Sequence, residues 1–278
     1  MRSLLLSLFL VVISPLYGQE DESPFAPDSI QELLRPKLDS ILEEANHIYQ
    51  LDQVAWHSSD IFMALDREIT SKAGGYVIME SRRNITCIWY DREVQHSLCE
   101  LVFRKSDVSN PKDTKIEKRE LTDDELEFID AKNQVLEAAF KAYGDQITIA
   151  EGVQFNPVFF EIEDGWRLYL MPGYSGDYII PIGNDYMIEL NEDLLPTRFI
   201  KYHTRLLPQT IEPQEGKEIE SLMHSHIKTS PLISPVEICI FREYTAVYNL
   251  DISLHVYSTY YGVIFMYNDS LDRILILN

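Results

Sequence analysis

The sequence predicts a mixed α+β fold in which largely antiparallel sheets carry two or three long helices. Three observations predict it. Apolar residues recur at helical spacing in two long stretches, one from Asp28 and one from Thr122. Between and after them, short runs rich in β-branched and aromatic residues are cut by Gly, Asn and Asp turn signals, as in hairpins. A further helix start, Ser234-Pro-Val-Glu237, stands near the carboxy terminus, with Ser as N-cap, Pro at the first helical position and Glu three residues after the cap.

The chain begins with Met1-Arg2, an apolar run from Leu4 to Ile13, and then abruptly acidic residues. This has the form of a secretory signal peptide over 1–19, because an apolar run of about ten residues is half the ~20 that a membrane span needs. The expected location is therefore a periplasm or the cell exterior, with no stable membrane insertion after cleavage. Forty-five acidic against 24 basic side chains give a formal charge of −21. That surface excludes nucleic acid as a partner, since phosphate binding needs a basic patch.

From Asp28 to about Gln50, Ile30, Leu33, Leu34, Leu38, Ile41, Leu42 and Ala45 form one helical stripe, bent or restarted at Pro36. His57 and Asp60 follow without a nucleophile and are read as packing residues. Strands are expected over 76–79, 86–90 and 98–103, as an antiparallel meander. A charge-dense loop over 105–120 then separates an N-terminal region, 20–120, from a C-terminal region, 121–278; the two are separate domains or parts of one. Thr122 and Glu125 form a capping box for a helix running to Tyr143, with Leu126, Ile129, Val135, Leu136, Ala139 and Phe140 as its buried face. Strands are next expected over 147–150, 158–162, 166–171, 178–182, 186–190 and 198–202, and three more close the chain. Of the three cysteines, Cys87 and Cys99 lie on neighbouring apolar segments where an oxidising compartment would let them bridge. Cys239, between Ile238 and Ile240, reads as a buried thiol, and the absence of a C-x-x-C pair argues against a thiolate zinc site.

The chemistry gathers in Leu222-Met-His-Ser-His226 and the helix start beyond it. On a strand, alternate residues face one side, so His224 and His226 point together. Glu237 brings a carboxylate to the helix N-terminus just past them. Two imidazoles and one carboxylate, with a fourth position left open, is how catalytic zinc is usually held.

These residues resemble the signature of the JAMM/MPN metalloproteases: His-x-His, seven residues, then Ser-x-x-Asp. Here His224-Ser-His226 and Ser234-Pro-Val-Glu237 match at every position except the last, which is Glu. The resemblance covers roughly the last third of the chain, including His255-Val-Tyr-Ser258 where the family has a strand ending near a Val-Ser pair. It implies a C-terminal β-α-β unit, zinc held by His224, His226 and Glu237, Ser234 supporting the reacting oxygen, and a peptide or protein substrate. It also implies a general base on an upstream strand, for which Glu161 and Glu163 are the fitting positions and Glu189 a third. As the third residue of a capping box, Glu237 has a competing use in binding the Ser234 backbone. His203 is a further ligand or a substrate contact, with no spacing rule to choose. Two functions follow: an exported zinc-dependent peptidase or isopeptidase, and a non-catalytic exported binding or structural module.

Overall fold

The computed structural model describes residues 27–174, 176–212 and 219–277; the expected signal peptide lies outside the described residues. The fold is mixed α+β, and every strand pair but one is antiparallel. Helix α1 spans Pro27–Met63 and contains Pro36. It runs past the expected end near Gln50 because Leu51, Val54 and Phe62 continue the buried stripe of Leu34, Leu38, Ala45 and Ile48. Tertiary burial, more than local propensity, sustains a helix of that length. His57 and Asp60 fall within it.

A short helix, α2 (Arg67–Thr70), leads into the first sheet: β1 (Ala73–Glu80), β2 (Asn84–Asp91) and β3 (His96–Arg104), with β4 (Asp113–Lys115) and β5 (Arg119–Glu120) both pairing with β3. This is the expected meander. Cys87 and Cys99, which an oxidising compartment would let bridge, are free thiols here. The register sets Cys87 opposite Leu101 and Cys99 opposite Trp89, so the two sulfurs are diagonal neighbours, not a facing pair. Burial pushes the thiols up, Cys87 to about 12 and Cys99 to about 11.

Helix α3 (Asp123–Tyr143) starts with the expected capping box between Thr122 and Glu125. It buries Ile129, Val135 and Ala139, while Leu126 and Phe140 stay exposed on the flanks of the stripe. The strand expected over 147–150 does not form. Ile147 instead donates its N–H to the Tyr143 carbonyl at 3.0 Å and extends the helix end.

Six strands follow: β6 (Val153–Ile162), β7 (Gly165–Tyr174), β8 (Ile179–Gly183), β9 (Tyr186–Asn191), β10 (Pro196–Lys201) and β11 (Leu206–Thr210). They form a sheet in the order β10-β9-β7-β6 and a separate pair, β11-β8. The last sheet has the order β12-β13-β14-β15, from β12 (Ser221–His226), β13 (Ser253–Ser258), β14 (Val263–Asn268) and β15 (Arg273–Leu277). Helix α4 (Pro235–Tyr248) connects β12 to β13. That crossover lets the two strands run parallel, with His224 beside Val256 and His226 beside Ser258. Val236, Ile238, Cys239, Ile240 and Phe241 of α4 are all at most 1% exposed. A helix apolar on most of its faces sits inside the core, here against α1. Each end of α4 is thereby fixed relative to the neighbouring sheets.

Candidate metal centre

Strand β12 alternates as its sequence requires: Leu222, His224 and His226 turn inward, and Ser221, Met223 and Ser225 face out. His226 is tied down on two sides. Its Nδ1 donates to the Leu232 carbonyl at 2.8 Å, and its own carbonyl accepts from Thr259 Oγ1 at 2.8 Å. With Nδ1 protonated, a neutral His226 presents a lone pair at Nε2.

Glu237 meets both demands that the sequence sets against each other. Its Oε1 accepts the Ser234 backbone N–H, and Ser234 Oγ accepts the Glu237 N–H at 3.1 Å, closing the capping box. Its Oε2 turns to the imidazoles, 2.8 Å from His224 Nε2, 3.4 Å from His226 Nε2 and 3.6 Å from His203 Nε2. Capping and ligation use different oxygens. The Ser234 hydroxyl takes part in the cap as an acceptor.

His203 arrives from elsewhere in the fold, two residues past β10. It is placed by the turn between β8 and β9. Gly183 has φ +88°, and a Cβ there would lie 2.3 Å from the Arg205 carbonyl oxygen and 3.2 Å from the His203 Cβ. Only glycine lets the 203–205 segment pass this close. Asn184, with φ 60°, completes the turn and delivers Asp185, fully buried. Asp185 Oδ1 then accepts from His203 Nδ1 at 2.7 Å, which aims His203 Nε2 at His226 Nε2, 2.9 Å away.

Two ring nitrogens that both present lone pairs repel at such a distance unless a proton or a cation lies between them. His224 Nε2 adds a third, 3.2 Å from that of His226. Burial by itself disfavours charge on His203, but the carboxylates of Asp185 and Glu237 outweigh it and raise its pKa to about 10. Burial likewise opposes charge on Glu237; His226 and its two companions overcome this and hold the carboxyl well below its usual range. Glu237 Oε2 is nevertheless buried without a hydrogen bond of good geometry. Ligand atoms at ~2.0–2.1 Å around a tetrahedral zinc stand about 3.3 Å from one another; five of the six separations here run from 2.8 to 3.6 Å, and the sixth, between His203 and His224, lies within 4.8 Å. His203, His224, His226 and Glu237, all with ligand atoms within 4.8 Å of one another, could hold a metal ion.

The structure does not bring the expected bases to this centre. Glu161 and Glu163 are exposed. Glu161 pairs with Trp166 and that with Leu190, which puts it level with a residue five positions along β9 from Asp185. At about 3.4 Å per residue that is roughly 17 Å along the sheet. Glu189 is engaged by Arg167 at 2.6 Å. The residues that the sequence left unassigned are Asp185 and, in its role, His203; the turn signal Gly183-Asn184 was the available pointer.

No family model, curated protein or solved structure matches the chain.

Proposed function

We propose that this chain is a zinc-binding protein whose metal acts as a clamp between two parts of the fold. One observation carries this: four inward-facing ligand atoms from three separate chain segments converge on one buried point, where Glu237 Oε2 stands 2.8 Å from His224 Nε2 without a hydrogen bond of good geometry. His203 follows β10, His224 and His226 belong to β12, and Glu237 opens α4. A cation at their centre joins the sheet of β9 and β10 to the β12-α4-β13 unit. Four protein ligands describe a closed site, which is the habit of structural zinc. Burial agrees, since the side chains of His203, His224, His226 and Glu237 are at most 6% exposed. The Asp185–His203 and Leu232–His226 bonds fix ring orientation, as outer partners of metal-binding histidines do.

A second reading is an exported hydrolase resembling the JAMM/MPN metalloproteases, acting on a peptide or protein. Its specific support is the Asp185–His203 pair. If His224, His226 and Glu237 alone held the metal, zinc would supply Lewis acidity, and His203, backed by a carboxylate at 2.7 Å, would be the group placed to carry a proton.

Metal analysis of protein refolded with zinc tests both. The clamp reading expects stoichiometric zinc in the wild type and its loss in His203→Ala as well as in His224→Ala. It also expects a cobalt-substituted protein whose visible spectrum is unmoved by azide. Full retention of zinc in His203→Ala, with an azide-sensitive cobalt spectrum, overturns the clamp and favours the open, hydrolytic arrangement. Wild-type protein that takes up no zinc ends both.

A further inference from the structure

The opposite half of α4 borders a cavity of about 490 Å³ that the metal centre does not use. Asp52 and Trp56 of α1, Glu243, Tyr244 and Tyr248 of α4, and Tyr76 of β1 supply the lining that matters. On α1 the spacing 52, 55, 56, 59 is one helical face, and on α4 residues 243, 244, 247 and 248 are another, so each helix supplies a wall, and residues of β1, β6 and the end of β7 supply the rest. Its size is that of a small-molecule site.

The chemistry of the walls is one-sided. Among the described residues, every charged side chain in the lining is acidic: Asp52, Asp177 and Glu243. Asp52 and Glu243 are each only 7% exposed and hydrogen-bond to one another. Two carboxyl groups can do so only when at least one of them keeps a proton. Burial raises both acids, and for Glu243 the neighbouring Asp52 adds to it. The nearest guanidinium is spent elsewhere, since Arg242 binds Asp269 at 2.8 Å and stacks 4.0 Å over Tyr49. Arg242 eases charge on Glu243 only in part, and a ligand that brings a cation into the cavity favours the charged form of the acid pair. Trp56, Tyr76, Tyr174, Tyr244 and Tyr248 also line the cavity, and ring faces attract cations in the same sense, as Lys132 Nζ, 4.8 Å over the Tyr76 ring, already shows.

We infer that this cavity is a binding site for a small organic ammonium ion, with the acid pair of Asp52 and Glu243 receiving the charged nitrogen and Trp56, Tyr76, Tyr244 and Tyr248 enclosing its carbon body. Neither a neutral polyol nor an organic acid meets this lining as well. The first brings no cation to the acid pair, and the second adds to its repulsion. The site is independent of the zinc reading, and its test does not depend on bound metal.

The probes are tetramethylammonium, benzyltrimethylammonium and 2-phenylethylammonium, with 2-phenylethanol as the uncharged match for the last. Titration of the full chain by calorimetry, with Trp56 at the cavity mouth as the fluorescence reporter, is expected to show saturable binding of at least one ammonium ion. 2-Phenylethylammonium should bind at least about tenfold more tightly than the alcohol, the gain expected of a desolvated cation between rings and a carboxylate. Asp52→Asn and Glu243→Gln together should abolish that preference, with circular dichroism to confirm folding. Val247→Lys, on the exposed face of α4 at the rim, keeps the test sound should the acid variants fail to fold; it should weaken every ammonium ion and leave the alcohol unchanged. Equal affinity for alcohol and ammonium, an ammonium preference that survives both sets of variants, or no saturable binding by any of the three cations overturns the inference.

Discussion

Asp185 holds His203 by the edge that faces away from the metal centre, Oδ1 to Nδ1 at 2.7 Å, while its second oxygen is buried without a hydrogen bond. The pair therefore serves the orientation of one ring. Removing the acid by Asp185→Ala frees that ring to rotate and strips the electron density that makes Nε2 a good donor. The expected result is zinc affinity lower by about 10–100-fold, with Asp185→Asn, which keeps an acceptor but no charge, falling in between. Competition with a chelating dye measures it. Unchanged affinity in Asp185→Ala shows that His203 does not bind the metal.

The division of labour at Glu237 gives a pair of variants with opposite signatures. Ser234→Ala removes the hydroxyl that accepts the Glu237 N–H and should cost about 1 kcal/mol of stability while leaving zinc bound. Glu237→Gln keeps an oxygen for the Ser234 N–H but takes the charge from the side that faces the imidazoles. Zinc should be lost there, and the cap kept. Chemical denaturation with and without zinc separates the two: added zinc stabilises Ser234→Ala as it does the wild type, and has little effect on Glu237→Gln. A Glu237→Gln protein that zinc still stabilises fully removes the carboxylate from the ligand set.

What could be read in advance followed the range of each physical signal. Capping boxes at Thr122–Glu125 and Ser234–Glu237 are local, and both form as their sequences require. The alternation that turns His224 and His226 inward is local too. His203 was different: its partner Asp185 lies 18 residues back across a turn, and its closest imidazole 23 residues ahead in another sheet, so no spacing rule joins them. The length of α1 was hidden for a related reason. The helical stripe read from the sequence, bent or restarted at Pro36, stops near Gln50, and burial of Leu51, Val54 and Phe62 keeps the helix going. Glu161 and Glu163 were chosen by a resemblance that fixes no position along the sheet, and the register puts them at its far end.

The acid pair makes stability depend on pH in a direction opposite to the usual carboxylate. Asp52 and Glu243 are both raised, by burial first; beyond that, Glu243 is raised by Asp52 and eased by Cys239 and Arg242. Above their ordinary values of 3.8 and 4.5 the unfolded chain has released protons that the folded chain keeps. Stability from this source is thus complete below those values and declines as pH rises through them, by up to about 1.4 kcal/mol per pH unit for one proton. Glu80 works the other way. Burial opposes its charge, but His47 and Lys105 hold it at about 2, so its contribution is present above 4.5 and lost as pH falls. The informative quantity is therefore the difference between wild type and Glu243→Gln across pH 5 to 8, which should move steadily in favour of the variant. A difference that stays flat means that the pair does not share a proton.

Gly183 ties the route of the backbone to the chemistry of the centre. With φ at +88° and its missing Cβ only 2.3 Å from the Arg205 carbonyl oxygen, alanine there strains the turn and pushes the 203–205 segment outward. Because His203 Cβ is the next atom met, at 3.2 Å, the displacement reaches the metal ligand directly. Gly183→Ala should lose about 1–3 kcal/mol of stability in the absence of metal and, beyond that, most of the additional stabilisation that zinc confers. Thermal unfolding at several zinc concentrations resolves the two losses. Should zinc raise the midpoint of Gly183→Ala as much as that of the wild type, the 203–205 segment can shift without disturbing the centre, and His203 is not one of its ligands.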